Sequence, residues 1–276
     1  MESDPNQIMS TYDLAIVGAG IVGLAHAAAA IRRGLRVAIV ERDARASQAS
    51  IRNFGLVTVS GQAAPTRERA LRSRGIWMEV AAAAGIPILQ RGAVVIARRE
   101  EALAVLEEFA GGPMGEGCEL WDARRTRQEV SALASPVAGA LWSPHELRVE
   151  AREALPRLAT WLESRGVDFT WGATAFRMDA QRLRHSAGAV EAECFVFAPG
   201  TEVAALFPEV ARRAGMRLCK LQMMRLAPQS GPWRLPGVVM SDSSLVRYEG
   251  FASQPSASAL RSRRSEERRV GKEWRL

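Results

Sequence analysis

The chain has 276 residues, 47% hydrophobic and 24% charged, with a formal net charge of +7; this is the composition of an ordinary globular protein long enough to bury a substantial core. Its three cysteines, Cys118, Cys194 and Cys219, are scattered without CxxC spacing, which argues against a disulfide framework or zinc site and suits a reducing compartment. Residues 261–276 hold seven basic residues against Glu266, Glu267 and Glu273, a net +4 that leaves +3 for the rest, so the charge does not point to a nucleic-acid partner.

The opening MESDPNQIMSTYD is polar and acidic, with neither a basic n-region nor an apolar h-region. Residues 1–11 are expected to form a disordered leader, and the cytoplasm is the expected compartment. From Tyr12 to Arg42 the sequence reads YDLAIVGAGIVGLAHAAAAIRRGLRVAIVER: strand, glycine turn, helix, strand, acid. Gly18 permits the tight turn, Gly20 lets backbone approach a pyrophosphate, and Gly23 lets the helix pack close to the sheet. Ala19, Ile21 and Val22 complete a turn whose amides face the phosphates at the helix N-terminus. Glu41 lies 18 residues beyond Gly23, close to the ~20 at which a carboxylate holds a ribose diol. The rival reading is a membrane span, because Leu14–Ile31 carries no formal charge. Three glycines and His26 make a poor span, so no membrane partner is expected. These residues alone leave FAD and NAD equally open.

After Glu41 a polar loop of small residues runs from Arg42 to Gly55, at the strand ends where ligands bind in a doubly wound sheet. GAGIVGLAHA, the Glu41-Arg42 strand end and QASIRNFGLVTVSGQ (Gln48–Gln62) together resemble the FAD-dependent amine oxidoreductases of the D-amino-acid oxidase, glycine oxidase and sarcosine oxidase superfamily. The RNFG…GQ wording is similar to a bacterial subgroup linked to aminophosphonate breakdown. The resemblance implies that FAD is the cofactor and that Gly18, Gly20 and Gly23 hold its pyrophosphate. It also implies that Glu41 holds the adenosine ribose, and that Ser50, Arg52, Asn53 and Gly55 run past the pyrophosphate toward the flavin. Arg42 could suit a ribose phosphate, but the adjoining carboxylate would repel one.

Pro65–Ala84 reads as a helix stopped by Gly85, Val94–Ala97 as a strand, and Glu100–Phe109 as an amphipathic helix. Asp122–Val130 is expected to be a helix capped by Asp122, and Gly139–Trp142 a short strand. Trp142–Glu150 reads as a surface turn before a helix over Ala151–Arg165. His145 and Glu146 are adjacent and so diverge on extended backbone, which disfavours a catalytic or metal pair. Val167–Trp171, Ala173–Met178, Leu183–His185 and Cys194–Ala198 read as strands, with His185 at a loop or edge. The closing Ala198-Pro199-Gly200 resembles the superfamily's strand-to-glycine turn against the flavin or its diphosphate, which makes Ala198 and Gly200 cofactor candidates; an ordinary capping turn is the alternative. Met216–Leu226 reads as a strand and resembles the KLQM segment that opens the substrate domain in the amine-oxidase subgroup. There Lys220, Gln222 and Arg225 could meet an anionic substrate group, or form a solvated strand face. Val238–Met240 and Ser244–Tyr248 would continue that sheet, with Arg247 and Tyr248 as further substrate candidates. No metal site and no catalytic side chain is assigned.

Arg264–Glu273, RSEERRVGKE, is polar without apolar period, is expected to be disordered, and looks like the translation of a common sequencing-adapter oligonucleotide. The natural coding sequence is accordingly expected to stop at or just before Arg263, with the superfamily's closing segment lacking a counterpart. The expected architecture is α/β: a Rossmann-like FAD-binding domain (12–85 and 138–215) with an inserted α+β substrate domain (86–137 and 216–260), incomplete at its C-terminus, and a disordered tail (261–276). The expected function is FAD-dependent oxidation of a small primary or secondary amine to an imine, with an inactive FAD-binding fragment or a nicotinamide dehydrogenase as alternatives. The partner is a small-molecule amine, and the oligomeric state is left open.

Overall fold

The computed structural model describes residues 11–133, 135–179, 181–220, 222–227 and 230–273; of the leader expected over residues 1–11, residues 1–10 lie outside them and Thr11 opens the first strand, and the last three residues of the chain also lie outside. In chain order the strands are β1 (Thr11–Val17), β2 (Val37–Glu41), β3 (Leu56–Val57), β4 (Gln90–Ala97), β5 (Glu119–Asp122), β6 (Gly139–Arg148), β7 (Asp168–Trp171), β8 (Ala175–Asp179), β9 (Arg182–His185), β10 (Gly188–Phe197) and β11 (Val238–Ser241). The helices are α1 (Ile21–Ile31), α2 (Arg67–Ala83), α3 (Glu100–Gly111), α4 (Ala123–Glu129), α5 (Ala151–Ser164), α6 (Val203–Leu206), α7 (Pro208–Arg213), α8 (Asp242–Leu245), α9 (Glu249–Ala252) and α10 (Ala257–Glu273).

Two compact units divide the chain. The first comprises Met1–Phe54, Val80–Ile86 and Glu150–Arg225, and its sheet has the order β7-β2-β1-β10-β9-β8. β7, β2, β1 and β10 run parallel, and β9 and β8 extend the sheet as antiparallel strands. Residues 14–17 of β1 and 37–40 of β2 are continuous apolar runs because both of their faces are covered. On one face Ala15, Val17, Ala38, Val40, Ala173, Leu183, Val190 and Ala192 form a core. α1 contributes buried Leu24, Ala27 and Ala28 and packs beside α5, whose buried stripe is Ala154, Leu155, Leu158 and Leu162.

The second unit comprises Gly55–Glu79, Pro87–Val149 and Leu226–Leu276. Its sheet has the order β11-β4-β6-β3, with β5 also on β6. Period-2 alternation along β4 sends Val95 and Ala97 into a core with Leu106, Phe109, Leu141 and Phe251, and Val94 and Ile96 into one with Trp121, Val130 and Ala140. The unit boundaries put residues 55–79 and 138–149 here rather than with the first unit.

Several local expectations change. β6 continues to Arg148, so the stretch read as a surface turn is largely strand, and Glu146 is buried at 1% exposure. Its Oε1 accepts the amides of Val59 (3.2 Å) and Ser60 (2.8 Å), while the His145 ring turns to the Glu116 carbonyl, 2.8 Å away. Ser60 Oγ donates to Ser143 Oγ at 2.8 Å. Beside these two hydroxyls burial pushes the Cys118 thiol up. His185 is not a loosely held edge residue: it is buried, its Nδ1 has no partner among the described residues, and burial pushes its pKa down.

No strand forms over 216–220 or 222–227, where Leu218, Met224 and Leu226 are exposed: the alternation is present, but no edge pairs with it. Ser244 and Leu245 belong to α8 rather than to a strand, with Leu245 anchored in the core. The residues expected to be a disordered tail are helical to Glu273. Glu108 accepts the amide and hydroxyl of Ser256 (2.9 and 2.5 Å) at the start of α10, and Ala257 and Leu260 are buried. A first turn fixed in this way lets the Arg- and Glu-rich stretch, made of good helix formers, propagate the helix. Among the described residues no helix is long and apolar enough to cross a membrane.

Candidate cofactor site

The site is built where β1 runs into α1. Gly18, at φ +102°, makes a turn that a side chain would block: a Cβ there would lie 2.4 Å from the Ala198 carbonyl oxygen. At Gly23 the helix crosses so close that a Cβ would lie 1.9 Å from the Gly18 carbonyl oxygen. Glycine at Gly18 and Gly23 is therefore demanded by the protein's own packing, before any ligand is considered.

The N-terminus of α1 has a glycine cap, Gly20, without a side-chain hydrogen bond. Ser50, from the 3-10 turn Ala49–Ile51, supplies the missing oxygen and accepts the Ile21 amide at 3.0 Å. The Ala19 amide donates to Glu41 Oε2 at 2.6 Å, and the Asp43 amide to Glu41 Oε1 at 2.9 Å. The amides of Gly20 and Val22 have no acceptor among the described residues. Gly20 and Val22 line a cavity of about 260 Å³ together with Gly18, Glu41, Arg42 and Ser50. Unpaired first-turn amides carry the partial positive charge of the helix end. The cavity thus has a donor end suited to phosphate oxygens and an acceptor end, Glu41, suited to hydroxyl groups.

Ala198 and Gly200, reached through the resemblance, line the same cavity. Ala19 is fully buried and contributes its amide to holding Glu41. Arg52, Asn53 and Gly55 are not among the lining residues. Asn53 Nδ2 turns back to the carbonyls of Ala49 and Ser50 (3.3 and 2.7 Å), and the Gly55 carbonyl accepts the Val149 amide at 2.9 Å within the second unit. Of the substrate candidates, Gln222 and Arg225 belong to the first unit and Tyr248 to the second, where its ring lies against Gly61.

Sequence reasoning missed Gln48, Ala49, Ala173, Thr174, Ala175, Pro199, Thr201, Glu202, Ala205 and Leu206, which also line the cavity. Gly172 at the end of β7 is the one local signal for the 173–175 segment; what brings the segment to the site is the pairing of β7 with β2. The 43–48 loop is fixed by Ser47 and Gln48, whose hydrogen bonds to Asp43 hold its carboxyl below the usual carboxylate range. Among the described residues no group of His, Cys, Asp or Glu is placed to hold a metal ion.

A family model described as DAO, FAD dependent oxidoreductase, matches residues 13–258. The chain belongs to this family. The fold agrees with glycine oxidase from Geobacillus kaustophilus at a TM-score of 0.62 and 26% identity, covering 75% of this chain and 59% of that one. Glycine oxidase from Bacillus cereus ATCC 14579 gives a TM-score of 0.63 at 26% identity, covering 72% and 58%. L-amino acid deaminase from Proteus vulgaris shares the fold, at a TM-score of 0.64 and 20% identity, with 76% and 58% covered. The chain thus spans less than two thirds of the length of these relatives. No curated protein sequence matches it.

Proposed function

We propose that the first unit holds the adenosine diphosphate half of FAD, with the diphosphate on the α1 N-terminus and the ribose diol on Glu41. The observation that carries this is the pairing, in one cavity, of acceptor-free amides at Gly20 and Val22 with the Glu41 carboxylate. Gly18, Ser50, Ala198 and Gly200 line the walls, while Ala19, Ile21 and Gly23 hold the turn behind them through the Ala19 bond to Glu41, the Ile21 bond to Ser50 and the close approach of Gly23 to Gly18. Glu41 keeps accepting capacity beyond its two backbone bonds, since each carboxylate oxygen has two lone pairs.

On this reading the protein oxidises a small primary or secondary amine. When bound, the flavin supplies the two-electron acceptor for the C–H bond next to the amine nitrogen, and water hydrolyses the resulting imine. The chain's own residues bind and orient, and no side-chain acid or base is required if the amine binds neutral. An aminophosphonate or N-methylated amine is the favoured substrate, supported by the wording of Gln48–Gln62. An assay of the purified chain with glycine, sarcosine and aminoethylphosphonate, following dye reduction and peroxide, tests this. Turnover fastest on the aminophosphonate is expected; turnover confined to glycine would exclude that substrate class.

A further inference from the structure

The rim of the cavity carries an ion pair that diphosphate binding leaves unexplained. Arg42 Nη1 lies 3.2 Å from Glu202 Oε2, and Arg42 Nε lies 3.6 Å from Asp43 Oδ1. Arg42 and Glu202 both line the cavity, with side chains 37% and 44% exposed, so they stand at its mouth. Glu202 ends the 3-10 turn Gly200–Glu202, and Thr201 Oγ1 donates to its Oε1 at 3.4 Å. So exposed a pair adds little to folding stability, which leaves its effect on the cavity to be explained.

An arginine at the end of the second strand is the group that accommodates a ribose 2′-phosphate in this type of fold, through charge-assisted bidentate bonds. Here the guanidinium is already engaged by two carboxylates on its own rim. We propose that Glu202 is a specificity residue: by occupying Arg42 it makes the ribose end of the cavity accept an unphosphorylated diol and reject a 2′-phosphate. Glu41 repels the phosphate directly, and Glu202 ties up the lining cation, Arg42, that would offset that repulsion. The inference rests on the adenosine diphosphate reading given above.

The test uses the full chain freed of bound nucleotide, with ADP-ribose and 2′-phospho-ADP-ribose titrated calorimetrically at low ionic strength; the two ligands differ only in the 2′-phosphate. The wild type is expected to prefer ADP-ribose by about 100-fold. Glu202→Ala and Glu202→Gln are both expected to narrow that preference at least fivefold, by tighter binding of the phosphorylated ligand, with the melting temperature unchanged. The narrowing is expected to shrink as salt is added and to vanish when Arg42→Ala is combined with either variant. An unchanged ratio in both Glu202 variants would overturn the inference, as would a narrowing that survives without Arg42. A wild type that binds neither ligand would overturn the adenosine diphosphate reading itself, and the inference with it.

Discussion

Gly23→Ala is expected to yield a chain that retains no flavin and loses about 3 kcal/mol of stability. The added methyl would sit 1.9 Å from the Gly18 carbonyl oxygen and 3.1 Å from its carbon, with the Ile16 side chain at 3.3 Å. None of the backbone atoms can move alone. Gly18 is fixed on its other side by the hydrogen bond its amide donates to the Val40 carbonyl (2.9 Å) and by the Ala198 backbone. Relief must come from α1 lifting off β1, which opens the packing of Leu24, Ala27 and Ala28 and withdraws the Gly20 and Val22 amides from the cavity together. Denaturant unfolding and flavin absorbance after gel filtration read the two effects. Wild-type flavin content in the variant would show that the turn does not need this approach.

Glu146→Ala is expected to destabilise the second unit by about 3 kcal/mol. Two amides of the turn that follows β3, those of Val59 and Ser60, have their hydrogen bonds to this carboxylate, and the site is buried at 1% exposure, so water cannot take over without opening it. Glu146→Gln keeps a carbonyl oxygen where Oε1 stands and is expected to cost less than half as much. Its amide nitrogen would replace Oε2, which has no partner among the described residues, and removing that buried charge offsets part of the loss. Hydrogen exchange at Val59 and Ser60 should accelerate strongly in the alanine variant and little in the glutamine one. Equal costs for the two variants would mean that the charge, not the acceptor, is what this turn needs.

The half of the site written between Tyr12 and Arg42 was legible because every determinant is local: an apolar strand, three glycines at fixed spacing, an alanine-rich helix and a terminal acid. The opposite wall was not. Ala173–Ala175 reach the cavity because β7 pairs with β2, and residues 198–202 because β10 pairs with β1, and both pairings join residues more than a hundred positions apart. Ala198 and Gly200 were reached through family wording rather than through pattern. Glu146 was misread because Ser-Pro-His-Glu looks like a turn, whereas its burial is made tolerable by amides 87 and 86 positions earlier. Residues 216–226 failed in the opposite direction: alternation describes a strand's faces but cannot supply the neighbour it must pair with. The tail's charge was read as disorder, yet α10 begins on Ala257 and Leu260, which are apolar and buried.

The most direct measurement is the flavin-to-protein ratio of the full chain after reconstitution with FAD and gel filtration, with Glu41→Ala alongside. About one FAD per wild-type chain is expected, with affinity at least tenfold weaker in the variant, the loss of one charge-assisted contact of about 1.5–3 kcal/mol. A wild type that retains no FAD, or a Glu41→Ala chain that retains it with unchanged affinity, would contradict the assignment of this cavity.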